Sequence, residues 1–170
     1  MKKTLKRWKA GAVMVLSVIV IMFTACSSSK QTIINNNNEA IIKAIDSSNW
    51  KFTPIRMIPQ FGNSRQIFGN YEVIYSKGKF NVYLPYYGRA YAGADILSNE
   101  SPLDFISTNF TVDKRLVKEG EWNIIIKPID RSAVQTMNFT LFSNGSADLN
   151  VTLLNRSPIS FTGNVGVVKE

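Results

Sequence analysis

From Trp50 onward the chain is a succession of short segments in which apolar and polar residues alternate, and this period of two constrains the fold more than any other feature. Tyr71, Val73 and Tyr75 alternate with Glu72, Ile74 and Ser76, and after the turn at Ser76-Lys77-Gly78-Lys79 the pattern resumes as Phe80, Val82 and Leu84. Ile106, Thr108, Phe110 and Val112 are expected to share one face, as are Trp122, Ile124 and Ile126 after the Glu119-Gly120-Glu121 turn. Met137, Phe139 and Leu141 lead into Asn144-Gly145, a dipeptide that favours a two-residue type I′ hairpin. Ala147, Leu149, Val151 and Leu153 continue the pattern, and Ile159, Phe161, Val165 and Val167 complete it. Strands of this kind bury one face and wet the other. With short turns and no helical periodicity between them, sequential antiparallel pairing is favoured. The expected fold is mainly β: an up-and-down antiparallel sheet of about seven or eight strands, curled into a barrel or folded into a sandwich around one core. A membrane-spanning barrel fits less well, because its strands run to about ten residues with aromatic girdles at both ends.

Two segments depart from simple alternation. Trp50-Lys51-Phe52 and Ile55 to Ile58 are separated by Pro54 and closed by Pro59. Proline cannot donate to a ladder, so an edge or irregular strand is predicted there. Upstream, Ile41, Ile42 and Ile45 with Ala40 and Ala44 recur at helical spacing, Asn38 offers an N-cap, and Glu39 falls in the positively polarised first turn. One short N-terminal helix is therefore expected to open a single β domain over residues 39–170. Residues 26–38, with Ser27-Ser28-Ser29 and the run Asn35 to Asn38, read as a polar tether.

The first 25 residues have a different character. Lys2, Lys3, Lys6, Arg7 and Lys9 precede a largely apolar run from Ala10 to Ala25, the layout of a secretory signal peptide. Sixteen residues of helix rise roughly 24 Å, short of the hydrocarbon core of about 30 Å. The run ends in Phe23-Thr24-Ala25-Cys26, which resembles the bacterial lipobox, with phenylalanine in place of the usual leucine. That resemblance implies cleavage before Cys26, acylation of its sulfur and amine with diacylglycerol and a fatty acid such as palmitate, and a mature protein anchored by several chains. The alternative is an uncleaved N-terminal anchor in which Cys26 is an ordinary residue. The serines after Cys26 carry neither the aspartate that retains lipoproteins in the inner membrane nor an acidic export cluster, so the expected location is the outer membrane, facing the periplasm. Cys26 is the one cysteine of the chain, and export with no internal disulfide is consistent with its use as the lipid carrier. The leader also holds five of the 20 basic residues against none of the 12 acidic ones, so its removal lowers the formal charge from +8 to about +3. Nucleic acid is not an expected partner, because binding needs clustered basic residues on the folded part.

Leu84-Pro85-Tyr86-Tyr87-Gly88-Arg89-Ala90-Tyr91 resembles the "LPYFGRAY" signature of a lipoprotein family of the Bacteroidetes catalogued as a domain of unknown function (4251). Gly62-Asn63-Ser64-Arg65 is similar to its "GRSR" turn, Asn144-Gly145-Ser146 to its "NGS" hairpin, and the stretch from Asn155 to Gly163 to its "NRQSISFYG" ending. Tyr87 for phenylalanine and Pro158 before the isoleucine are departures. The resemblance implies a periplasmic or outer-membrane β domain and no particular reaction.

The residues themselves point away from catalysis. The chain has no histidine, which removes the commonest general base and metal ligand, and acylation of Cys26 removes thiol chemistry. No phosphate loop or nucleophile elbow is present, and neither a metal nor a cofactor is expected. Asp95, Glu100 and Asp104, and Glu119 with Glu121, leave a carboxylate-dependent hydrolase formally open, but nothing in the spacing sets the separation such chemistry needs. Asn109, Asn138 and Asn150 head N-x-T sequences that read as polar strand faces. The strongest binding candidate is Tyr83, Tyr86, Tyr87, Arg89 and Tyr91, whose flat faces and planar cation suit stacking on a sugar ring or anchoring a protein partner. The competing assignment is structural: tyrosines closing the barrel while Arg89 ties down loop carbonyls. The sequence thus predicts a lipid-anchored, ligand- or partner-binding envelope domain, with an assembly component of the outer membrane as the alternative. Replacing Cys26 by serine should abolish labelling by radioactive palmitate and release the protein from washed membranes; unchanged labelling would contradict lipidation at this position.

Overall fold

The computed structural model describes residues 30–91 and 101–168. The leader, Cys26, the start of the tether, Asp95 and Glu100 lie outside the described residues. The chain divides into two compact units, residues 1–35 and 36–170, and all that follows concerns the second, save the first turns of the helix.

Helix α1 spans Lys30–Asp46, so helical geometry begins well before the expected cap at Asn38 and runs through the asparagines. Once a turn is nucleated, each further residue adds one hydrogen bond, and asparagine costs only a fraction of a kcal/mol, roughly 0.7 or less, against alanine. Ala44 and Ile45 are buried, and Ile41 and Ile42 pack against the core. The C-terminal carbonyls of the helix are met by Lys114, whose Nζ donates to Ile45 O at 3.2 Å and Asp46 O at 3.0 Å. That places a cation at the negative end of the helix dipole.

The strands are β1 (Trp50–Pro59), β2 (Arg65–Gln66), β3 (Glu72–Ser76), β4 (Lys79–Tyr83), β5 (Asp104–Ser107), β6 (Phe110–Lys118), β7 (Glu121–Pro128), β8 (Val134–Phe142), β9 (Ser146–Leu153) and β10 (Ile159–Val167). Nine lie in one antiparallel sheet in the order β5-β4-β3-β1-β10-β9-β8-β7-β6, with the two-residue β2 beside β1. The domain is thus two meanders joined where the first strand pairs with the last, and the fold is mainly β, as expected. The sheet curls into a half-barrel. Phe80 of β4 and Phe139 of β8 stand five strands apart in the order, yet their ring centroids are 6.2 Å apart. Trp50 and Phe52 of β1 also meet Phe139 edge-on, at 5.1 and 6.0 Å. The inward residues Val73, Phe80, Val82, Trp122, Ile124, Ile126, Met137, Leu141, Leu149, Val151 and Phe161 are all buried. The outer face pairs polar groups across strands: Asn123 Nδ2 donates to Asn138 Oδ1 at 2.7 Å, and Ser160 Oγ donates to Asn150 Oδ1 at 2.6 Å.

Four details differ from the sequence-based expectation. First, β1 is no edge: it pairs with β10 along its length and with β3 and β2 on the other side. Pro54 sits opposite Gly163 of β10 at a register shift between Pro54 and Arg56, and on its other side it falls in the gap between the β3 and β2 ladders, an irregular place where an interior strand tolerates proline. Second, the hairpin after Phe142 is a three-residue loop. Gly145 has φ 90° and its N–H reaches Phe142 O at 2.9 Å, whereas Asn144 does not have positive φ, which makes a type I turn with a glycine bulge and not type I′. Asn144 Oδ1 instead accepts from Ser146 N at 2.9 Å.

Third, Ile106 faces outward at 54% exposure while its neighbours Phe105 and Ser107 are buried. Fourth, strands β5 and β6 run in the same direction, separated only by Thr108 and Asn109, so one bent stretch of chain serves both ends of the sheet. Counted as one strand, they give eight, the upper end of the expected number. The extra residue at the bend shifts the phase, so that Ser107 and Phe110, three apart, both point inward.

The bend is held by Asp130. Its carboxylate accepts from the buried Ser107 Oγ at 2.5 Å and from Thr108 N at 3.3 Å, and Ile129 N donates to Asn109 O at 2.8 Å. The Ser107 hydroxyl, joined by the Thr108 amide, holds the Asp130 carboxyl below its usual range. A depressed folded-state value contributes stability that is full above the ordinary carboxylate pKa of about 3.9 and fades as pH falls below it. Thermal melts should therefore show the midpoint dropping as pH falls from about 4 towards 2, with a shallower drop in Asp130→Asn. Equal slopes in both proteins would contradict this role for Asp130.

Candidate functional site

The loops at the end of the sheet away from the C-terminus of α1 carry the sequence-selected residues Tyr86, Tyr87, Arg89 and Tyr91, with Tyr83 the last residue of β4 before them. Residues 84–91 follow β4 outside the regular strands, with Leu84 and Pro85 buried and Ala90 forming an isolated bridge to Arg156. They are bolted to the β9–β10 connection. Tyr91 N donates to Asn155 O at 2.8 Å, Ser157 N to Arg89 O at 2.9 Å, and Arg89 N to Ser157 Oγ at 2.9 Å. Tyr86 completes the bolt, its hydroxyl donating to Ser157 O at 2.8 Å and lying 3.2 Å from Ser157 Oγ. Ser157 is wholly buried, so these bonds satisfy groups that water cannot reach. Asn155 supports the geometry in the left-handed region, φ 55°, which asparagine tolerates well. Gly88 is required for a different reason: a Cβ there would collide with Tyr86 Oη and Ser157 Oγ.

On the outer side of this bolt lies an open cleft of about 440 Å³ between residues 59–65 and 86–89. Its lining is Pro59, Phe61, Gly62, Asn63, Arg65, Tyr86, Tyr87, Gly88 and Arg89. The walls are braced reciprocally. Arg65 Cζ lies 5.1 Å from the Tyr87 ring centroid, and Arg89 Cζ lies 4.6 Å from that of Phe61, so each loop gives one arginine to the other's aromatic ring. Behind them Arg156 stands 5.6 Å from the Tyr86 ring. Tyr87 and Phe61 remain 53% and 47% exposed.

The five residues selected from sequence therefore separate. Tyr86, Tyr87 and Arg89 line one cleft, Tyr86 from the structural side. Tyr83 stands on the outer face of β4, stacked on Tyr71 with centroids 4.9 Å apart, and Tyr91 is an exposed residue beside Asn155; neither lines the cleft. Loop carbonyls are tied by Tyr86 and Ser157, not by the Arg89 guanidinium, which stacks on Phe61. Phe61, Asn63 and Arg65 were missed as partners. The signal available was the Gly62-Asn63-Ser64-Arg65 turn, whose family resemblance carries no hint that it folds against residues 86–89. The described carboxylates do not converge: Asp104 opens β5 beside Tyr83, whereas Glu119 and Glu121 flank the β6–β7 turn, with Glu121 3.0 Å from Lys118 Nζ. Among the described residues no cluster of three histidine, cysteine, aspartate or glutamate side chains could hold a metal ion.

A curled antiparallel sheet with a helix at one end and a cross-braced cleft at the other defines the class of domain. The family model of a domain of unknown function, DUF4251, matches residues 33–165, and the chain belongs to that family. Among solved structures it is similar to a DUF4251 family protein from Bacteroides eggerthii DSM 20697, with a TM-score of 0.57 and 12% identity over 81% of this chain and 92% of that one. At that identity the likeness is one of fold. No curated protein matches the chain.

Tyr86 and Tyr87 should behave oppositely on substitution. Tyr86→Phe leaves buried Ser157 groups short of a partner and should cost about 1–3 kcal/mol in urea unfolding. Tyr87→Ala removes an exposed ring and should stay within roughly 1 kcal/mol of wild type, the value of an exposed cation–π contact. Comparable losses in the two variants would contradict this division.

Proposed function

We propose that this protein is a lipid-anchored module of the bacterial envelope that binds a ligand without transforming it, and that the cleft between residues 59–65 and 86–89 is its binding site. The observation that carries the reading is the pair of exposed, reciprocal arginine–aromatic stacks in one concavity. The lining offers flat apolar faces and planar donors, the elements of recognition. It contributes no carboxylate, histidine or thiol that could act as acid, base or nucleophile. The lipobox-like ending at Cys26 supports anchorage, and its serine-rich continuation supports the periplasmic face of the outer membrane. The family membership is compatible with these features and specifies no activity.

A second reading, an assembly component of the outer membrane, is favoured by a different surface. Strand β6 pairs only with β7 among the described residues, and its Leu116 and Val117 are 62% and 59% exposed. An open edge of this kind can accept a strand from another chain.

Capture of the tagged protein from its own membranes after mild crosslinking, with mass spectrometry of all retained material, separates the two. In the cleft reading Tyr87→Ala and Arg89→Ala lose a small molecule, glycan or partner that the wild type retains, with melting temperatures within a few degrees of wild type. A stoichiometric protein partner that survives both substitutions and is lost in Leu116→Lys would contradict the cleft reading and establish β6 as the contact.

A further inference from the structure

We infer that the ligand of this cleft is an acidic sugar: an oxyanion, carboxylate or phosphate, carried on a ring. The inference rests on the cleft being the binding site and names the chemistry that the site selects.

The first argument is charge. Arg65 and Arg89 stand on opposite walls of the same cleft, and the lining contains no carboxylate. Four other described cations, Lys51, Lys114, Arg115 and Lys118, lie within 4 Å of a carboxylate (Glu72, Asp46, Asp113 and Glu121), while others such as Arg131 do not; what distinguishes the cleft pair is that two arginines share one concavity. Among the described residues the side chains of the two cleft arginines meet only rings. Two like charges sharing a concavity without a counter-charge repel each other, and a bound anion would relieve that repulsion. The second argument is geometry. Both guanidinium carbons lie over an aromatic ring, 5.1 and 4.6 Å from its centroid, and no side-chain hydrogen bond to a described residue uses their planar N–H donors, which leaves those donors to fork onto two oxygens of one oxyanion. Because each stack already restrains the side chain, part of the ordering cost of binding is met before the ligand arrives.

The third argument is what else the cleft presents. Phe61 and Tyr87 are half-exposed rings suited to the apolar face of a sugar. Tyr87 and Asn63 belong to the lining, and the hydroxyl of one and the amide of the other, without a hydrogen-bond partner among the described residues, are the kinds of group that serve sugar hydroxyls. A free inorganic anion would leave these groups unused. The cleft volume of about 440 Å³ is that of a small-ligand site and accommodates one or two rings.

The test is titration calorimetry of the full chain in detergent micelles with four probes: trigalacturonate, glucose 6-phosphate, the neutral trisaccharide galactotriose, and inorganic phosphate. An acidic sugar should bind, weaken as salt rises, and exceed both galactotriose and inorganic phosphate by tenfold or more; which of the two acids wins identifies the oxyanion. Arg65→Gln and Arg89→Gln should each weaken binding by about ten- to hundredfold. Arg89→Lys, which keeps the charge and loses the fork, should recover only part of it. If galactotriose binds as tightly as the acids and the glutamine variants are unaffected, the acid assignment is overturned, while loss of that binding in Tyr87→Ala would keep the cleft as the site. Equal binding of inorganic phosphate and the acidic sugars overturns the ring. Binding by none of the four overturns the inference as a whole, and the membrane capture described above then decides separately whether the cleft binds anything.

Discussion

The pairing of β1 with β10 is the constraint on which the rest of the domain depends. It joins the first strand to the last and turns two separate meanders, β3–β5 and β6–β9, into one curled sheet. The pairing has to accommodate a proline in an interior strand, and it does so with paired adjustments. The register shifts at Pro54, and Gly163 stands opposite, where a Cβ would run into Thr53 O. A glycine in the middle of β10 weakens that strand locally, yet it allows the two backbones to approach at the bulge. With that ladder in place, Trp50 and Phe52 are delivered into the concavity against Phe139, and the core closes around them.

Two buried serines do at the periphery what the β1–β10 ladder does at the centre. Ser107 and Ser157 are the fully buried polar side chains among the described residues. Each sits where the chain leaves regular structure. Ser107 fixes the bend between β5 and β6 through Asp130, and Ser157 fixes the 84–91 segment through Tyr86 and Arg89. The second bolt gives the cleft a rigid back wall. Tyr86 and Gly88 face that wall, so the segment that most resembles the family signature is in part a structural lock, with Tyr87 and Arg89 left on its accessible side.

The fold class was legible because the alternation at Phe80, Val82 and Leu84, at Ile124 and Ile126, and at Leu149 and Val151 reports burial directly, and burial of one face is what a curled sheet requires. What the sequence could not convey is anything that depends on a partner strand. Pro54 looks like an edge because proline lacks a donor; only the gap between two neighbouring ladders makes it acceptable inside. Ile106 looks inward by counting from Phe110, but the bend at residues 108–109 adds a residue and reverses the phase. The site was half legible for the same reason. Tyr87 and Arg89 stand out in a signature, whereas Phe61 and Arg65 are ordinary residues of a turn until the fold sets them against that signature from about 25 positions away. Three segments with family resemblance, near residues 62–65, 84–91 and 155–158, converge at one end of the sheet, a convergence that no local pattern encodes.

The central claim is that the accessible side of this convergence is where the protein meets its ligand. Its most direct test is the nuclear magnetic resonance spectrum of the isotope-labelled protein titrated with a soluble extract of its own envelope. The account predicts shift changes concentrated on the backbone amides of residues 60–66 and 86–91 and on the side-chain N–H groups of Arg65 and Arg89. Changes confined to β6, with those loops silent, would contradict it.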